Sequence, residues 1–471
     1  MKVKTMDGSE IDLKQEILDS FKLRLKGQVL TSGDVGFEES RTVWNYMIDR
    51  KPAIVVRCLG TADVIACIQF VREYNLLLCI KGGGHNIAGF ATADDALMLD
   101  MSLMRGVIVD PQGKVAHAQV GSLLYDVDRE TQIYGLAAVL GFVSTTGIAG
   151  LTLGGGFGYL TRRWGWTSDT VTGMNVVTAE GRLVRANSVE NPDLFWGLRG
   201  GGGNFGIVTG IDYTLYPVGP EIIGGLVAWH ASEAPKVLDL YQKLVRQAPP
   251  ELTLIALMRL APPAPWLPKD IHGKPIVALL ACYSGNLADG DKAVAPIKAF
   301  GNPVGDILIH RPYIQLQSLF DSGNPKGRRY YQKSEYLPSI EPELCEKVIA
   351  HAAKIQSPLS VIMLFQIEGA LNRFGEEQSP VGNRNAHFVL NIPGSWEKAD
   401  DDRQNIEWVR NAWDDMKSFS TGGNYINFQT EDEGNDRINA ALGTGIHRLA
   451  RIKAKWDPQN VFRMNRNIKP A

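Results

Sequence analysis

Lys81-Gly82-Gly83-Gly84-His85-Asn86-Ile87-Ala88-Gly89 is the stretch on which the fold of this chain turns. Consecutive glycines can take positive φ and let several backbone N–H groups converge on one point. Such a nest receives phosphate oxygens without side-chain bulk. It is not a Walker loop, because GxxxxGK[ST] is absent, and it is not GxGxxG in its dinucleotide-fold context. His85 stands at the exit, where a histidine bonds the backbone, contacts a phosphate or presents a ring nitrogen as a nucleophile. Upstream, residues 52–58 read as a buried strand, 61–75 as a helix capped by Thr61, and 76–80 as a second strand. This β-α-β unit delivers the loop at the carboxyl end of a strand, where α/β folds gather ligands.

Two further glycine runs follow. Residues 141–158 are dominated by small side chains and include Val143, Thr146, Gly147, Gly150, Leu151, Gly154, Gly155 and Gly156. Such a run lets backbone lie flat on a planar ligand, or packs tightly as a plain loop. In residues 191–208 a helix runs into Gly200-Gly201-Gly202-Gly203 and then a strand that carries Gly206 and Val208. A helix C-terminus accounts for one or two of those glycines but not four. The chain has 49 glycines in 471 residues, and their clustering marks local backbone devices, not a flexible linker.

Between and beyond these runs, residues 12–29 read as a helix or helical hairpin. Residues 96–104, 106–110 and 114–120 read as strands, 123–135 as a helix, 171–186 as a hairpin around Glu180-Gly181, and 205–217 as a long strand. From residue 218 the texture changes. Helix candidates (233–247, 341–355, 401–418) alternate with strands such as 276–285 and 388–392, which points to a second α+β domain on an antiparallel sheet. The tail reads as a strand at 425–428 and a helix over 436–455, returning to the first domain.

Composition excludes several classes. The formal net charge of -2 offers no basic excess for nucleic acid. The five cysteines, Cys58, Cys67, Cys79, Cys282 and Cys345, are scattered without C-x-x-C spacing, against both a disulfide framework and a metal site. The N-terminus lacks an apolar leader core and no apolar run spans a membrane, so a cytoplasmic protein is expected. Nothing in the sequence signals an oligomeric state.

The three glycine runs, in this order, resemble the FAD-linked oxidases of the vanillyl-alcohol oxidase, PCMH-type superfamily, in particular its berberine-bridge-enzyme-like branch. The tail extends the likeness. Tyr425-Ile426-Asn427-Phe428 resembles that branch's Y-x-N-[YF], and residues 457–468 resemble its D-P-x-N-x-F-R-x-N-x-N-I ending. The resemblance implies an α+β protein with a PCMH-type FAD-binding domain of two α/β subdomains (1–217 with 420–471) and a substrate domain (218–419). It implies FAD covalently bound through His85. Lys81 to Ile87, Gly89 and residues 147–156 would hold pyrophosphate and ribityl, Gly206 and Val208 would lie near the adenine half, and Tyr425 and Asn427 would approach the flavin. Doubly linked members carry a cysteine where Val143 stands here, so a single link is expected. Thr146 would sit beside the ring.

The implied activity is oxidation of a small alcohol, amine, sugar or natural product by hydride transfer to FAD, with O2 reduced to H2O2. The alternatives are a dehydrogenase with another acceptor, or a flavin-binding relative without catalysis. Many members use a tyrosine base where this chain has Phe428, so the base is sought elsewhere. On residues 363–372, alternation places Gln366 and Glu368 on one face, and a carboxylate with raised pKa at Glu368 becomes the expected base. Tyr313 is a further pocket candidate.

Overall fold

The computed structural model describes residues 1–375 and 377–471. Two sheets share the first core. In one, Ile54–Arg57 and Leu78–Lys81 flank Leu97–Asp100 in parallel, and Gln28–Leu30 closes an edge antiparallel. The helix Thr61–Tyr74 links the outer parallel strands and buries Val64, Cys67, Ile68 and Val71, three or four residues apart. Gly60, not Thr61, occupies its cap position. The first-turn carboxylate of Asp63 accepts the N–H groups of Leu59, Lys26 and Gly27 at 2.9–3.1 Å. The second sheet is antiparallel throughout, in the order Leu183–Asn187, Val171–Val177, Ile207–Thr214, Val115–Gln119, Val107–Asp110.

The third sheet has eight strands, antiparallel at every pairing. Glu221–His230, Pro275–Tyr283, Leu252–Leu260, Val361–Gln366, Phe388–Trp396 and Arg329–Leu337 follow one another across it. Its two faces go to two different cores. Ile362 and Leu364 pack with Val237, Leu238 and Tyr241 of the helix Ala234–Gln247. Met363 and Phe365 pack with Phe157, Tyr159, Trp166 and Tyr425 from the first half and the tail. This second face carries the site.

Three local readings are corrected. Within residues 12–29 only Gln15–Lys22 is helical, and Gln28–Leu30 is a strand. Residues 425–428 form a 3-10 turn over Ile426–Phe428, not a strand. The helix expected over 436–455 is two helices, Asn435–Leu442 and Ile446–Trp456, broken at Gly443, whose φ of 56° a helix cannot absorb. The second of these lies on Pro192–Leu198 and sends Leu449 and Ile452 into the first core. The whole is an α+β fold, as the sequence implies.

Candidate functional site

A continuous cavity of about 880 Å³ lies between the glycine loops and the eight-stranded sheet, near the upper end of ligand-site volumes. Gly82, Gly83, Gly84, His85, Asn86 and Ile87 form one wall. Their backbone N–H groups find no protein acceptor among the described residues, unusual for partly buried donors and expected where a ligand supplies the acceptors. The glycines serve two purposes. A Cβ on Gly83 would stand 2.5 Å from Gly147, so these two loops touch backbone to backbone. A Cβ on Gly150 or Gly203 would meet no protein atom within 4 Å, because both face the cavity.

Val143, Thr146, Gly147, Gly150, Leu151 and Gly154 continue the wall, and Gly206, Val208, Tyr425 and Asn427 complete it. Asn427 donates to Leu151 O at 3.1 Å and to the Tyr425 hydroxyl at 2.8 Å, tying the tail to the second loop. Four expected contacts are set back. The Lys81 ammonium is buried beneath its loop, 3.2 Å from Asp100 and donating to Ser40 O. Gly89, at φ 75°, turns the chain against Ile48, and Gly156, at φ 77°, turns it against Thr167. Gly155, at φ 104°, also lies outside the lining. These positions shape the loops and do not face the cavity.

The tail's last motif is a clamp on the third glycine run. The fully buried Lys453 ammonium donates to Asp457 (2.6 Å), Asn204 O (2.8 Å) and Phe462 O (2.9 Å). Asp457 also accepts the N–H groups of Val461 and Phe462. Asn465 donates to Gly203 O, and Ile468 N–H donates to the Asn204 side chain. The spacing of the D-P-x-N-x-F-R-x-N-x-N-I segment therefore serves to hold Gly203 and Asn204 in place.

His85 stacks on Trp44, with ring centroids 4.9 Å apart, and Trp44 stacks in turn on Tyr330 at 3.5 Å. Neither imidazole nitrogen has a hydrogen-bond partner among the described residues. Burial pushes the ring's pKa down to about 4, because the charged form loses its water without gaining an anion. At neutral pH the ring is the free base, with its lone pair available as a nucleophile or acceptor.

The expected base is corrected. Alternation along Val361–Gln366 holds, but the face turned to the cavity is that of Val361, Met363 and Phe365. Gln366 points the other way and donates to Val245 O at the back of the sheet. Glu368 lies past the strand end, half-exposed and 4.0 Å from His387. Tyr313 is packed within the apolar core, outside the lining. Among the described residues no Asp, Glu or Lys lines the cavity. Its phenols keep their protons: burial raises Tyr330 to about 12 and raises Tyr425 further. The sheet side instead presents Leu226, Leu257, Ile276, Ala278, Met363 and Phe365, with Arg259 and Arg328 at its margin. The reading from sequence passed over both arginines. The visible signal was Arg259 itself, a lone charge in the apolar run 252–260.

Unpaired backbone donors, side-chain-free walls and a neutral histidine, set against an antiparallel sheet, define the site of a flavoprotein. Residues 52–187 match the FAD binding domain family, and residues 424–469 match the family described as berberine and berberine like. An FAD-linked oxidoreductase of Dictyostelium discoideum is 29% identical over 460 residues, covering 97% of each chain. (R)-6-hydroxynicotine oxidase of Paenarthrobacter nicotinovorans is 28% identical, covering 95% of this chain and 98% of that one. The crystal structure of 6-hydroxy-D-nicotine oxidase from Arthrobacter nicotinovorans superposes with a TM-score of 0.85 at 25% identity, over 95% of this chain and 99% of the other. The chain is thus an FAD-linked oxidoreductase that carries an FAD binding domain over residues 52–187 and a berberine-like segment over residues 424–469.

Proposed function

We propose that this enzyme is an oxidase that binds FAD covalently through His85 alone and oxidises a small, largely apolar organic molecule held between the flavin and the eight-stranded sheet. The observation that carries the reading is His85, a neutral imidazole with both nitrogens free, at the exit of a loop whose N–H groups lack acceptors. Val143 lines the same cavity and offers no thiol for a second link. Bound there, FAD would supply the two-electron chemistry that oxidises the substrate and reduces dioxygen to hydrogen peroxide.

The chain's own part is positional. The N–H groups of Gly82 to Ile87 suit the dinucleotide's phosphates, and Gly150 and Gly203 leave room for its body. Met363, Phe365, Leu257 and Ala278 exclude water and press an apolar substrate toward the loops. With no carboxylate or amine among the described residues that line the cavity, the reading is that the substrate loses its proton to water or carries its own electron-pair donor. That favours a substrate whose C–H bond is activated by an attached nitrogen or oxygen. Residues 1–217 with 420–471 act as the FAD-binding domain and 218–419 as the substrate domain, since the glycine loops and the sheet face divide in that way. Five unpaired, buried cysteines suit the reducing cytoplasm. No helix among the described residues is long and apolar enough to cross a membrane.

An aerobic screen of amines, alcohols and sugars that couples peroxide release to anaerobic flavin bleaching tests the activity. Bleaching with peroxide formation is expected. Bleaching without peroxide would make the enzyme a dehydrogenase, and no bleaching by any class would refute the reading.

A further inference from the structure

The sheet wall of the cavity is apolar along most of its length. Leu257 is in register with Ala278 and Met363, and all three line the cavity. Two residues further along the same strand and face stands Arg259, in register with Ile276 and Val361, which also line it. Its Nε donates to Leu260 O at 3.1 Å and its Nη2 to Pro358 O at 3.0 Å. Nη1 has no partner among the described residues, and no carboxylate stands within 4.0 Å of the guanidinium. Arg328 faces the same cavity. It donates from Nη1 to Gly323 O at 3.2 Å and likewise has no ion pair among the described residues.

Several enclosed arginines are neutralised or saturated within the protein, whereas Arg311 and Arg199 have one carbonyl partner each and a buried Nε without a partner. Arg384 grips Asp169 with two bonds of 2.7 Å, and Arg329 grips Asp402. Arg162 lacks a carboxylate, but main-chain carbonyls of Ala248, Pro249, Leu252 and Glu368 occupy its fork. Arg259 and Arg328 have neither compensation. Burial, and then the nearby charge of Arg328, push Arg259 down to about 10. Two like charges brought together at the edge of an apolar cavity that no acid among the described residues lines cost free energy until an anion arrives. Guanidinium groups with free N–H donors match a carboxylate in charge and geometry.

We propose that Arg259 and Arg328 form an anion subsite at the sheet end of the cavity, and that the substrate is an apolar organic acid whose carboxylate is held there while its other end reaches the flavin. This rests on the cavity being the substrate site of an FAD enzyme. The carboxylate then fixes which end of the substrate is oxidised, and a neutral sugar finds few partners on the apolar wall.

The test uses matched probes on the purified holoenzyme: benzoate, phenylacetate and 3-phenylpropionate against their primary amides. Binding is read both by perturbation of the flavin spectrum and by calorimetry. At least one acid should bind tenfold or more tighter than its amide. Arg259→Gln and Arg328→Gln should each weaken that acid tenfold or more and leave the amide within twofold. Equal affinity of acids and amides, no binding by any acid, or an acid preference that survives both substitutions would overturn the subsite. Flavin content, measured first, separates the two failures. Protein without flavin refutes the proposed function, whereas flavin-loaded protein indifferent to the carboxylate refutes only the subsite.

Discussion

Lys453→Met removes a fully buried ammonium and its three hydrogen bonds while leaving every apolar contact near it in place. Lys453 and Asp457 are both 0% exposed. The substitution strands the Asp457 carboxylate with only the Val461 and Phe462 N–H groups, leaves Asn204 O without its donor, and leaves Phe462 O with Asn465 alone. Breaking a buried pair in this way costs about 3–5 kcal/mol. Removing both charges costs less than the two single losses together, so Lys453→Met/Asp457→Asn should recover part of the deficit. Asn204 and Gly203 flank the cavity, so flavin content should fall with stability. Urea unfolding of Lys453→Met, Asp457→Asn and the double variant, with flavin absorbance per polypeptide, gives both quantities. A single variant within 1 kcal/mol of wild type, or one that is destabilised yet fully flavinylated, would show that the tail does not clamp the third glycine run.

Other outcomes follow from the same structure. Burial pushes the Asp128 carboxyl up from 3.8 to about 7, with the Gln317 hydrogen bond opposing in part. The folded chain therefore holds a proton that the unfolded chain releases above about pH 4. Stability from this group is complete below that pH and is lost as pH rises through 7, by roughly 4 kcal/mol. Asp128→Asn should close that gap, so that its stability relative to wild type increases between pH 5 and pH 8; a difference constant with pH would refute the assignment. Gly150→Leu should keep the circular dichroism of the native fold yet carry less than a tenth of the flavin, and a fully loaded variant would show that this wall does not face the cofactor. Glu368→Gln should leave anaerobic flavin reduction within about twofold of wild type, whereas a hundredfold fall would restore Glu368 as the base.

The near wall of the site was legible in the sequence because glycine runs have few structural explanations. Gly82 to Gly84, Gly147, Gly150 and Gly203 stand where side chains would strike backbone or fill the cavity, and their order along the chain carried the likeness to flavoproteins. The far wall was less legible. Alternation separates Phe365 from Gln366, but it does not say which of them meets the site when helices cover the other face. The polar side chain suggests the functional face; Gln366 instead satisfies Val245 O under a helix. Arg328 belongs to a loop with no periodicity, and only the fold brings it to Arg259. The tail turn at Ile426–Phe428 misread as a strand because its aromatic and branched residues suit extended chain, whereas tertiary contacts of Tyr425 and Asn427 set its conformation.

The most direct measurement is the mass of the denatured polypeptide. Acid-precipitated wild-type protein should retain its yellow colour and exceed the bare chain by the mass of one FAD less two hydrogens, and a proteolytic peptide containing His85 should carry that increment. His85→Ala should release all its flavin into the supernatant. Wild-type protein that gives up its flavin to acid, or an increment on a peptide without His85, would contradict the account.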